Sequence, residues 1–168
     1  MLKKAKDFTG ENVVMAFQNG GGIRAAIDAG PITVGEVITV LPFGNTLAVM
    51  DVTGAELKEA FEISVGNYPA ENGGFLHVAG AKVEYDSSKP GYKVDDKGVV
   101  LEKGQRVVSI KYKNQEGDFV EIKDDDIYTI ATNAFTAQGG DGYTPFAKAY
   151  SEGRVKDLGL SDWENFRD

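Results

Sequence analysis

The sequence predicts a single α+β domain with a mixed, mostly antiparallel sheet and a few packed helices. Three observations predict it. Short apolar or alternating runs, bounded by glycine and proline, recur along the chain as strands do. Thr33 and Thr53 each stand as a helix start signal ahead of a segment of helical character. The 168 residues, 42% hydrophobic and 26% charged, suffice for one hydrophobic core and are short for two.

The elements follow in order. Met1-Leu2-Lys3-Lys4 has no apolar stretch behind it, so the amino terminus reads as a linker and not as a secretory signal. Residues 12–17, Asn-Val-Val-Met-Ala-Phe, form a continuous apolar run that suits a buried strand. Thr33 caps a predicted helix over residues 35–40, which stops before Pro42. Residues 46–52 alternate as a strand. Thr53-Gly54-Ala55-Glu56 matches a capping box, and Leu57, Ala60, Phe61, Ser64 and Val65 continue at helical spacing towards Gly66.

The second half is mostly β. Residues 81–86 and 106–112 alternate, and a turn over 114–117 leads the latter into a strand at 119–122. A strand at 128–132 precedes the glycine-rich loop 138–142. The tail from Thr144 onward, with Phe146, Ala149 and Tyr150, has weak helical character. No internal repeat or coiled coil occurs.

Composition narrows the chemistry. With a net charge of −8, the average field repels polyanions, so no nucleic-acid partner is expected. No apolar run approaches the roughly 18 residues that span a bilayer, so no membrane insertion is expected. The absence of cysteine removes disulfides, zinc–thiolate sites and thiol catalysis together. The one histidine, His77, lies between Phe75-Leu76 and Val78 and reads as a strand residue. A single imidazole does not make a two-metal hydrolytic centre, so no metal ligands and no catalytic residues are assigned.

Three loops carry the functional argument. In Asn19-Gly20-Gly21-Gly22-Ile23-Arg24, glycines after a buried strand let a ligand approach the backbone, and Arg24 offers a planar fork to an oxyanion. It is neither a Walker loop nor GxGxxG. Leu41-Pro42-Phe43-Gly44-Asn45-Thr46 sets an aromatic between proline and glycine. Asn133 to Tyr143 carries Phe135 and then Asp141 among glycines. Taken singly, these loops read first as a structural joint, a core phenylalanine and a turn aspartate.

Taken together and in order, NGGGIR, LPFGNT, GxELKEAFE and FxAxGGDGY resemble the C-terminal domain of the 5′-nucleotidase family, from Val13 to Phe146 and including the run Gly73 to Gly80. The resemblance implies that Phe43 and Phe135 clamp a nucleobase, that Asp141 accepts hydrogen bonds from ribose hydroxyls, and that Asn19 lies by the base. Arg24 then lies by the sugar or phosphate, and Gly21 and Gly22 form the backbone cradle. Stacking on an aromatic contributes about 1–3 kcal/mol per base and tolerates different bases, so an AMP-like nucleoside or nucleotide is the expected ligand.

The same resemblance places the reaction elsewhere. An N-terminal metallophosphoesterase domain of the same parent chain would hold two divalent metal ions, leaving no cofactor in residues 1–168. The parent would be a secreted, periplasmic or cell-surface phosphoric ester hydrolase, and this portion alone would be inactive. Relatives carry further basic contacts upstream of the NGGGIR strand, where this chain has only a short stretch; weaker phosphate affinity and a missing first element are the expectation. A standalone module for nucleotide sugars or a protein partner is the alternative reading.

Overall fold

The computed structural model describes all 168 residues. The chain opens with a helix, α1 (Leu2–Thr9), where a linker is expected from the sequence. Ala5 is fully buried and Met1 and Leu2 pack beside it, so the lysines occupy the outer face of a short amphipathic helix. Gly10 ends it in the left-handed conformation.

Strand β1 (Val13–Asn19) follows, then a tight turn over Gly20–Gly22, α2 (Val34–Val40), β2 (Thr46–Thr53) and α3 (Gly54–Val65). Both helices carry a complete capping box. Thr33 accepts from the Glu36 N–H while Glu36 accepts from the Thr33 N–H, and Thr53 and Glu56 repeat the exchange. Next come β3 (Leu76–Ala79), β4 (Ala81–Tyr85), β5 (Tyr92–Val94), β6 (Val100–Lys103), β7 (Val107–Lys113), β8 (Phe119–Glu121) and β9 (Ile127–Asn133). A single-turn helix α4 (Ala134–Ala137), α5 (Thr144–Ser151), β10 (Val155–Ser161) and α6 (Asp162–Arg167) complete the fold.

Five strands form the central sheet in the order β10-β2-β9-β1-β3. Only β1 and β9 run parallel; every other neighbour is antiparallel, so the sheet is mixed and mostly antiparallel. Strands β4, β7 and β8 make a second, antiparallel sheet, and β5–β6 is a separate hairpin. Strand β1 is buried on both faces, which is why its sequence is continuously apolar rather than alternating. A bulge between Val13 and Met15 shifts its register against β9.

The larger core joins Met15 and Phe17 of β1 to Met50 of β2, Leu57 and Phe61 of α3, Ile130 of β9 and Phe146 of α5. Phe17 meets Phe61 edge-on at 5.3 Å and stacks on Phe146 at 6.3 Å. The opposite face of the sheet closes on Ala5, Val13, Leu47, Val49 and Ala131. Arg106, just before β7, ties the second sheet to α3 by donating from one guanidinium nitrogen to the carbonyls of Val65, Gly66 and Tyr68 at and just beyond the end of that helix.

This topology decides where the three glycine-rich loops meet. Because β1 and β9 are parallel, the turn after Asn19 and the helix after Asn133 leave the sheet at the same end. Strand β2 is antiparallel to β9, with Leu47 opposite Asn133, so the loop that enters β2 arrives at that end too. Asn19 pairs with Leu76 of β3, which brings residues 72–75 alongside.

Candidate functional site

At that end of the sheet the loops enclose a cleft of about 280 Å³, lined by Asn19, Gly21, Gly22, Phe43, Asn45, Phe135 and Asp141. Six of the seven residues predicted as site residues are among them. The seventh, Arg24, stands at the mouth. Its guanidinium donates to the Gly21 carbonyl at 3.2 Å and sits 5.9 Å from the centroid of the Phe43 ring. No carboxylate lies within ion-pair distance of it.

Phe43 and Phe135 are 62% and 46% exposed, so neither is a core residue. Exposed aromatics that line a cleft have faces available to a planar ligand. Phe43 projects from the turn between Pro42 and Gly44, the latter with φ 66°. Phe135 is the second residue of α4, and its ring rests against the backbone of Gly140: a Cβ there would meet the ring at 2.5 Å.

Asp141 is the one non-glycine residue with positive φ, at 58°. Aspartate tolerates this region better than most residues, and the glycines at 139 and 142 on either side also take positive φ. The carboxylate is anchored on one side, where its Oδ2 accepts from Asn19 Nδ2 at 2.9 Å. Asn19 is itself 5% exposed, and its Oδ1 accepts from Asn133 Nδ2 at 2.9 Å. Gly22 leaves room for this arrangement, since a Cβ there would meet Asn19 Oδ1 at 2.9 Å and collide with the Gln18 amide.

Residues 72–75 brace the site from below. Gly20 N–H donates to Phe75 O at 2.8 Å and Gly21 N–H to Gly73 O at 2.7 Å. Tyr143, fully buried, donates its hydroxyl to the Gly74 carbonyl. Burial pushes the Tyr143 phenol well above its ordinary pKa, so it stays a donor throughout the physiological range. His77 is an exposed residue of β3, edge-on to Phe75 at 5.3 Å, and takes no part in the cleft.

Two contributors escaped the sequence reading. Asn45 lines the cleft and was visible only as a letter within LPFGNT. Asn133, fully buried, caps α4 by accepting from the Thr136 N–H at 2.9 Å; asparagine ahead of a short apolar run is the signal that could have found it. A larger and more apolar groove of about 460 Å³ lies nearby, between Met1, Ile23, Leu41 and Phe166. Its one exposed aromatic is Phe166 and its carboxylate, Asp162, is buried, whereas the smaller cleft brings two exposed aromatic faces to Asp141.

Nowhere do three histidine, cysteine, aspartate or glutamate side chains come together as a metal-holding group. What the cleft offers instead is two aromatic faces, a carboxylate, amides and a cationic rim.

Comparison with known proteins decides the family. The family described as 5′-nucleotidase, C-terminal domain, matches residues 1–148. The chain belongs to that family. The trifunctional nucleotide phosphoesterase protein YfkN of Bacillus subtilis (strain 168) is 45% identical over 167 residues, which is 99% of this chain and 10% of that protein. The 5′-nucleotidase of Homo sapiens is 38% identical over 146 residues, 84% of this chain and 24% of that one. Among solved structures, a 5′-nucleotidase precursor from Thermus thermophilus superposes with a TM-score of 0.83 at 40% identity, over 98% of this chain and 29% of that one. The chain thus spans between a tenth and about a quarter of the length of the bacterial and human relatives. The family match begins at residue 1, so α1 lies within the matched region, whereas β10 and α6 lie beyond it.

Proposed function

We propose that this chain is the nucleoside- and nucleotide-binding domain of a metal-dependent 5′-nucleotidase. The base stacks between Phe43 and Phe135, the ribose hydroxyls donate to Asp141, Asn19 lies by the base, and Arg24 at the rim faces the phosphate. The observation that carries this reading is the single cleft in which two exposed phenylalanines and a carboxylate converge. A site of this composition suits a ligand with a flat apolar base at one end and vicinal hydroxyls further along. Two aromatic faces give affinity with little choice among bases, so AMP-like nucleotides form the ligand class.

Residues 1–168 in this reading serve as the substrate-carrying domain and do not turn substrate over. The hydrolytic step belongs to an N-terminal metallophosphoesterase domain of the same parent chain, where two divalent metal ions would supply the Lewis-acid chemistry for hydrolysis of the phosphate ester. The work of the present residues is to bind, to orient the sugar through Asp141, and to present the phosphate at the open rim beside Arg24. A secreted, periplasmic or surface location of the parent belongs to the same proposal, which the similarity to snake venom 5′-nucleotidases supports.

The test is a calorimetric titration with adenosine and AMP, run on the wild type and on Phe43→Ala, Phe135→Ala and Asp141→Ala, with thermal melts alongside. Saturable binding that each folded variant loses by about tenfold or more is the expected outcome, given the size of a stacking or charged hydrogen-bond contribution. Equal affinity in wild type and all three variants would overturn the proposal, as would AMP hydrolysis by the purified chain for the claim of no turnover.

A further inference from the structure

We propose that Asn133, buried beneath the cleft and outside the set of ligand-contacting residues, is a positioning residue that couples the aromatic wall to the ribose acceptor. The inference rests on the nucleoside reading above and adds to it the device that orients Asp141.

The argument begins with the polarity of one amide. Asn133 ends β9 with no solvent exposure. Its Oδ1 accepts from the backbone N–H of Thr136 at 2.9 Å. A backbone N–H only donates, so this contact fixes the amide: the oxygen faces α4 and the Nδ2 group faces the other way. There Nδ2 donates to Asn19 Oδ1 at 2.9 Å, with Gln18 Oε1 a longer second acceptor at 3.4 Å. Asn19 is fixed in turn, and its Nδ2 donates to Asp141 Oδ2 at 2.9 Å. An ionised carboxylate only accepts, so the far end of the chain is fixed by the same logic. Thr136 N–H, Asn133, Asn19 and Asp141 form a relay with one allowed direction throughout.

The two ends of that relay are the two walls of the cleft. Thr136 N–H belongs to the turn of α4 that carries Phe135, and Asp141 is the proposed acceptor for the ribose. With Oδ2 of Asp141 held by Asn19, the carboxylate is rotationally set before a ligand arrives, and its remaining acceptor sites can face the cleft. Pre-set geometry of this kind raises affinity by reducing the ordering cost of binding. Severing the relay at Asn133 leaves Asn19 Oδ1 with only the longer 3.3 Å contact from Gln18 Nε2, so Asn19 loses its shorter support.

The test uses Asn133→Ser, whose hydroxyl can still accept from Thr136 N–H as a helix cap but is too short to reach Asn19. Binding is measured for adenosine and for 2′,3′-dideoxyadenosine, which lacks the hydroxyls that Asp141 would accept from. The wild type should prefer adenosine. The variant should lose about tenfold in adenosine affinity, the equivalent of one charge-assisted contact, with a clearly smaller loss for dideoxyadenosine. If the variant does not fold, Asn133→Asp keeps the cap and the volume while turning the donor into an acceptor, and the same difference between ligands is read.

An equal loss on both ligands, or no loss on either, would overturn the relay while leaving the clamp standing. A wild type that binds both ligands equally would remove the ribose role of Asp141 itself, and the relay with it. The ligand comparison separates these outcomes from a general loosening of the domain, which would weaken both ligands alike.

Discussion

Phe43 and Phe135 show how a single number separates two meanings of the same residue type. A phenylalanine near a proline or after a strand is as readily a core residue as a ligand contact. Their exposures of 62% and 46% place them on the surface. Core truncation of phenylalanine costs about 3–5 kcal/mol, whereas surface truncation stays within about 0.5 kcal/mol. Thermal melts of Phe43→Ala and Phe135→Ala should therefore show a near-native midpoint, and a drop as large as that of a core truncation would contradict the assignment. Gly140 should behave in the opposite way. A methyl there meets the Phe135 ring at 2.5 Å, so Gly140→Ala should displace that wall and weaken adenosine binding several-fold, a change readable in the same titration. That Phe43, Phe135 and Asp141 come to one cleft was legible because their motifs combine chemistry with spacing. Asn45 was not, since its place in the cleft comes only from the loops that folding brings together, and Asn133 offered only the cap signal of an asparagine ahead of a short apolar run.

Among the elements, α3 was the most legible. Its capping box, its apolar spacing and its end near Gly66 all appear in the fold as the sequence predicts. Phe61 packs against Phe17 in the main core, so Phe61→Ala should cost about 3–5 kcal/mol by chemical denaturation. The first turn of α3 also carries a pH dependence. Burial raises the pKa of Glu56, but the Arg154 guanidinium, the Thr53 N–H and Lys148 outweigh it together and hold the carboxyl at about 2. A depressed folded-state pKa stabilises fully above the ordinary carboxylate value, and that stabilisation is lost as pH falls from there towards 2. Acid melts between about pH 5 and pH 2 should therefore show a smaller loss in Arg154→Ala than in the wild type, with the variant already weaker at neutral pH by about 2 kcal/mol. An identical acid dependence in the two proteins would contradict this account of Glu56.

The elements that the sequence hid share a physical cause. Helix α1 is one short amphipathic stretch whose lysines mask three packing residues. Strand β10 pairs with β2 along an edge of the sheet and is only partly buried, so its alternation is faint and its identity comes from its neighbour. The β5–β6 hairpin is three and four residues long, with mostly exposed side chains. Each is stabilised by tertiary contact more than by local preference, and local preference is what a sequence displays.

For the whole molecule, the central point is topological. Loops at residues 19–24, 41–46 and 133–143 are far apart in the chain, yet one parallel pair, β1 with β9, and one antiparallel neighbour, β2, deliver all three to the same end of one sheet. The site is thereby mounted on the most deeply buried strands of the domain, which favours fixed geometry over a loop that orders on binding. The most direct test is a backbone amide NMR titration of the wild-type chain with AMP. The account predicts saturable shifts confined to residues 19–24, 41–46 and 133–143, with Phe43 and Phe135 among the largest. Absence of shifts at millimolar AMP, or shifts centred instead on the groove between Met1 and Phe166, would contradict it.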